Sequence, residues 1–147
     1  PIIVSAQPNP EADERRKKIN KNLLINTNDP IVGIINLGLD QTCDNEEVIF
    51  DGKRRYVLSS KFLNYDIIKK NDFYTENINT MKCVFNIKKL EGYTEKEKKR
   101  FPENGYIWFK KIENNLYFPA KIEINTRWGN FLCLIKEKEF KNESDSL

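Results

Sequence analysis

The 147-residue chain contains no histidine. That removes the side chain that most often acts as general base near neutral pH, the ordinary partner of a serine or cysteine nucleophile, and the commonest nitrogen ligand for a metal. Phosphate cradles are missing as well: neither Gly-x-x-x-x-Gly-Lys-Ser/Thr nor Gly-x-Gly-x-x-Gly occurs. Cysteine is sparse, with Cys43, Cys83 and Cys133 at least 40 residues apart. No pair has the close spacing of a zinc knuckle or redox motif, so the simpler expectation is a reducing compartment with no metal. No stretch approaches the ~20 apolar residues of a membrane span, and the run Pro1-Ile2-Ile3-Val4 is too short for a signal-peptide core. These absences together favour a non-enzymatic, aqueous protein that needs no cofactor and has no membrane partner.

What is present suffices for a core. Nine Phe, six Tyr and two Trp supply rings for an aromatic interior with some left for a surface. The charges, 25 basic against 22 acidic, leave a net +3. This balance permits contact with nucleic acid without requiring it. Acid pairs such as Glu46-Glu47 are expected from that number of carboxylates and read as solvated surface.

Along the chain, Asn9-Pro10-Glu11 supplies a cap, a first-turn proline and an early acid, predicting a helix near residues 10–24. Asp29-Pro30 reads as a break, and the β-branched run Ile31 to Leu37 as a buried strand. Asp51-Gly52 between Val48-Ile49-Phe50 and Tyr56-Val57-Leu58 predicts a β-hairpin near 48–58. Ser59 is positioned to cap a short helix through Lys70, with Phe62, Leu63 and Ile67 as its apolar stripe. Lys82 to Leu90 reads as strand. Thr94-Glu95-Lys96-Glu97 is a capping box whose helix must stop by Phe101, before Pro102. Strands follow over Tyr106 to Ile112, Pro119 to Ile124 and Phe131 to Lys136, with Trp128-Gly129 marking a turn and a polar tail expected to fray over 141–147. The fold expected is a single α+β domain over residues 1–147: a small curled antiparallel sheet or barrel, an N-terminal helix and one or two short helices.

The segment Gly105-Tyr106-Ile107-Trp108-Phe109-Lys110-Lys111, followed by Leu116-Tyr117-Phe118-Pro119 and Ala120-Lys121-Ile122, resembles the opening of a PWWP domain. Phe109 takes the aromatic place, Lys111 the lysine, and residues 116–119 the four-residue signature. Asn114-Asn115 depart from the family's usual glycine and aromatic in the arch. The resemblance implies a five-stranded Tudor-like barrel with PWWP-like strands over 105–136, a nuclear chromatin protein, an aromatic cage for a methylated histone lysine, and a basic flank for DNA; only 25 residues follow Ile122, too few for the remaining strands and helices of such a domain. The recess would be formed by Ile112, Tyr117, Phe118 and Phe131, and rings of this kind attract a methylammonium through their faces. Tyr117 and Phe118, being adjacent on a strand, must point to opposite faces. Candidate phosphate contacts are Lys53, Arg54 and Arg55 at the hairpin tip, with Lys110, Lys111, Lys121 and Arg127. Lys96, Lys98, Lys99 and Arg100 read as a solvated helix face. The rival expectation is an interaction domain or assembly subunit that meets another protein chain and has no nucleic-acid role.

Overall fold

The computed structural model describes residues 21–39, 41–112 and 116–135, with the backbone alone for Leu23. Six strands, β1 (Asn45–Phe50), β2 (Arg55–Ile68), β3 (Ile78–Glu91), β4 (Asn104–Lys111), β5 (Tyr117–Thr126) and β6 (Gly129–Leu134), form one antiparallel sheet in sequence order. Among the described residues two α-helices accompany it, α1 (Pro30–Leu39) and α2 (Glu95–Arg100). The protein is therefore α+β and mostly strand. Of the two forms left open by the sequence, it takes the open sheet: β1 and β6 are the two ends of the strand order, not a closed barrel of the kind the PWWP resemblance implies.

Two elements differ from expectation for identifiable reasons. The run Ile31 to Leu37 is helix, not strand. Asp29 acts as its cap, accepting at Oδ1 from the backbone N–H groups of Ile31 (2.9 Å) and Val32 (3.1 Å), and Pro30 sits in the first turn, where it costs no hydrogen bond. The Asp-Pro pair is a start signal, and burial of Gly33, Leu37 and Gly38 along one side overrides the β-branched preference. Residues 59–68 continue β2 where a helix was expected. Tyr56, Leu58 and Ser60 alternate inward, and the register slips between Phe62 and Asn64. One extra residue at Leu63 puts Phe62 and Tyr65 three apart on the same face, with ring centroids 5.2 Å apart, which mimics helical spacing.

The hairpin at Asp51-Gly52 forms as expected, joining β1 to β2 with Gly52 at φ 95°. The capping box at Thr94 also forms, and α2 stops at Phe101. Its residues Lys96, Lys98, Lys99 and Arg100 are exposed. The helix expected near 10–24 falls mostly outside the described residues; its last four, Lys21–Leu24, make a 3-10 turn. Lys136, the arch residues 113–115 and the tail 141–147 also lie outside them. Among the described residues, no helix is long and apolar enough to cross a membrane.

Helix α1 lies across the strands on one face, within reach of β1, β2 and β5. Two glycines allow this approach. A Cβ on Gly33 would stand 2.1 Å from Ile49 Cδ1, and one on Gly38 would stand 2.6 Å from the Phe109 ring. The core between helix and sheet gathers Leu37, Ile49, Tyr56, Leu58, Met81, Phe85, Ile107, Phe109 and Ile122. Cys43 and Cys83 also lie there, fully buried and disulfide-bonded to each other, with Cα atoms 6.2 Å apart. This corrects the expectation of unpaired thiols: the spacing of 40 residues carries no motif, and only the fold brings the two sulfurs together. Cys133 is free and exposed.

Candidate functional site

The register sorts the proposed contact residues between two faces. On the helix side stand Tyr65 and Ile67 of β2, Asn79 and Met81 of β3, Lys111 of β4 and Tyr117 of β5; on the opposite, open face stand Lys82, Lys110, Trp108, Phe118 and Lys121. Tyr117 and Phe118 thus point to opposite faces, as adjacent strand residues must, and both are half-buried. They flank the arch between β4 and β5, where Ile112 N–H donates to Leu116 O at 2.7 Å. Phe131 is elsewhere. It faces Ile124, seven residues farther along β5 than Tyr117, which at the strand rise is about 23 Å. The four expected recess residues therefore do not surround one hollow.

Two rings of the open face, Trp108 and Tyr106, are already engaged. Trp108 is only 3% exposed, and its indole N–H donates to Asp66 Oδ2 at 2.8 Å. Lys121 Nζ sits 4.0 Å from its ring centroid and Lys82 Nζ 4.7 Å; Lys82 is also 4.6 Å from the Tyr106 centroid. The protein's own ammonium groups thus occupy the position that a methylated lysine takes in an aromatic cage. The Trp108 hydrogen bond, and then the Ile67 backbone N–H, hold the Asp66 carboxyl below its ordinary pKa.

The hairpin tip does not present three cations outward. Lys53 and Arg54 both bind Glu97 Oε1 on α2, at 2.5 and 2.9 Å. Arg54 also lies 5.0 Å from the Phe101 ring centroid and 5.9 Å from that of Tyr93. The Lys53 contact, the Thr94 backbone N–H and the Arg54 contact keep the Glu97 carboxyl well below the usual carboxylate range. Arg54 is raised in turn, first by its hydrogen bond to Glu97. Lys53 and Arg54 therefore join the hairpin to the α2 capping box. Arg55 is half-buried in β2 beside Phe50, and Arg127 is exposed in the β5–β6 turn next to the exposed Trp128.

What the sequence reading missed is the far half of β2. Strand β1 pairs with β2 only as far as Ser60, so Lys61 to Ile68 has β3 on one side and no strand on the other among the described residues. Phe62, Leu63, Tyr65 and Ile67 are all exposed there, Tyr65 to 76%. Beside them Tyr65, Ile67, Asn79, Met81, Lys111 and Tyr117 line a cleft of about 480 Å³, to which α1 contributes no wall. Its wall is mostly apolar with a few polar groups. The alternation through Tyr65-Asp66-Ile67-Ile68 was the available signal, hidden by the bulge at Leu63. Among the described residues no cluster of three or more His, Cys, Asp or Glu side chains is placed to hold a metal.

Comparisons with protein-family models, with curated proteins and with solved structures each find no match to this chain.

Proposed function

We propose that this chain is a non-enzymatic binding module that engages another protein through the helix-side surface of the overhanging half of β2. The observation that carries this reading is the contiguous exposure of Phe62, Leu63, Tyr65 and Ile67 beside the Tyr117 cleft. Large apolar side chains grouped in this way on a folded surface mark interaction sites, and aromatic anchors beside pockets dominate their energetics. Lys111 at the rim adds a cation that suits an acidic flank on the partner.

The test uses a photo-crosslinking residue at position 65 and, as control, at position 88 on the open face. Position 65 is expected to trap a partner in fixed stoichiometry, and position 88 is not. Once the partner is purified, the exposed double substitution Tyr65→Ser with Ile67→Ser should weaken binding roughly 30-fold, the loss for a hot spot of about 2 kcal/mol. Equal trapping at both positions, or unchanged affinity, would remove the proposal.

A second reading, binding of nucleic acid and with it a chromatin role in the nucleus, is supported by the open face. Arg55, Lys61, Lys82, Lys88, Lys110 and Lys121 share it with Glu46, Asp66, Glu91 and Glu123 in the β1 to β5 register. Affinity for short duplex DNA would then fall steeply as salt rises, because phosphate contacts release counterions. Affinity that does not change with salt would eliminate this reading and leave the first standing.

A further inference from the structure

Among the described residues, several stretches of strand have no neighbouring strand on one side, and they are not equally protected. The outer edge of β1 is bridged at Ile49 by Asn28, whose N–H donates to Val48 O at 2.8 Å and whose carbonyl accepts from Phe50 N at 3.0 Å; β1 also carries Glu46 and Glu47. The overhang of β2 carries Lys61, Asp66 and the bulge at Leu63. Charges, bulges and covering segments are the devices by which natural sheets prevent edge-to-edge pairing. Among the described residues, strand β6 has none of them. Its sequence Gly-Asn-Phe-Leu-Cys-Leu is uncharged, contains no proline, and pairs with β5 without a register shift. It is also apolar on both faces: Phe131 is 64% and Leu132 58% exposed.

We propose that β6 is a dimerisation edge, along which a second copy of this chain adds its own β6 antiparallel about a two-fold axis at Leu132. The neutral strand argues for a second copy over a foreign strand. Two identical charged edges would set like charges against each other, whereas an uncharged one is compatible with itself. The hydrogen-bond phase fixes the register. Ile135 N–H donates to Ala120 O, so residues 129, 131 and 133 turn their backbone groups towards β5, and Asn130, Leu132 and Leu134 turn theirs outward. Full overlap of those outward groups pairs Leu132 with its own symmetry mate and Asn130 with Leu134. Phe131 then faces Cys133 of the other copy. The two sheets continue as one of twelve strands, and both Leu132 side chains meet on the open face.

The experiment uses the full chain carrying Cys133→Ser, so that no adventitious cross-link forms, without reductant. Sedimentation is expected to move from the 17.4 kDa monomer to twice that mass as concentration rises. Adding Leu132→Lys should restore the monomer with an unchanged circular dichroism spectrum, because the side chain it replaces is exposed. Adding Leu132→Cys instead should give a covalent dimer on mild oxidation, since directly opposed residues stand about 5.5 Å apart at Cα, within disulfide reach. Phe131→Cys, whose mate is residue 133, should cross-link at least tenfold more slowly. A chain that stays monomeric at every concentration overturns the proposal, including the case where amide exchange shows Asn130, Leu132 and Leu134 protected by another segment of the same chain. A dimer that survives Leu132→Lys, or equal cross-linking from 131 and 132, overturns it too.

Discussion

Adding reductant to the folded chain is expected to lower its unfolding free energy by about 4 kcal/mol, the chain-entropy value for a closed loop of this length. The bond joins Cys43, in the segment after α1, to Cys83 in β3, across 40 residues of sequence. That loop contains all of β1 and β2, so the bond restricts the unfolded chain over a large part of the sheet. The neighbourhood is tightly fixed. Cys43 adopts a left-handed φ of 56°, and its carbonyl accepts from the buried Ser60 hydroxyl at 2.7 Å. Urea unfolding with and without reductant should show the loss as a lower midpoint. The pair Cys43→Ala with Cys83→Ala should reproduce it and abolish the further effect of reductant. Cys133→Ser, at an exposed site, should leave the midpoint in place. A loss under about 1 kcal/mol would show that helix packing, and not the bond, fastens this segment.

The other large effect is expected at Trp108. Replacement by alanine should cost about 3–5 kcal/mol, as for other large buried rings. Trp108 packs with Ile68, Tyr74, Ile78 and Ala120 on the open face, beneath the connection from β2 to β3. Tyr74 in that connection donates to Ala120 O at 2.5 Å. Losing the indole therefore opens a cavity, leaves Lys82 and Lys121 without the ring they flank, and loosens the β2–β3 connection. Trp108→Phe separates the contributions by keeping a ring and deleting the N–H. In that variant the Asp66 carboxyl, now held low chiefly by the indole, should titrate closer to its ordinary pKa, as read by NMR. An unmoved Asp66 would show that the Ile67 backbone N–H and the Lys82 and Lys121 charges, and not the indole, set its acidity. A trimethyl-lysine peptide should leave the Trp108 fluorescence of the native protein unchanged, because both flanking positions are filled from within.

Local chemistry was legible where it acts locally. Thr94 with Glu97 specified the start of α2, Pro102 its end, and Asp51-Gly52 the first hairpin, because each signal operates over a few bonds. The opposite facing of Tyr117 and Phe118 followed from strand period alone. Four features were not legible. The Asp29-Pro30 pair has the same letters as a break and as a helix start, and burial against Ile49 and Phe109 decides between them. The bulge at Leu63 imposed a helical spacing on an extended segment. The Cys43–Cys83 bond and the Lys82–Trp108–Lys121 stack depend on which strands become neighbours, which no short window contains. For the same reason a recess assigned from consecutive letters spread over both faces and along the length of β5, while the exposed residues of β2 were assigned to a helix surface.

The strand order has a consequence for how the protein is made. Each strand lies beside the one translated just before it, so a growing chain can extend the sheet one hairpin at a time without waiting for a distant segment. Helix α1 is the exception. It emerges before every described strand, yet it seats Gly38 against Phe109 of β4 and reaches β5. Until those strands are synthesised its apolar side has no complete seat, so α1 is locked in place only once β4 and β5 have been made.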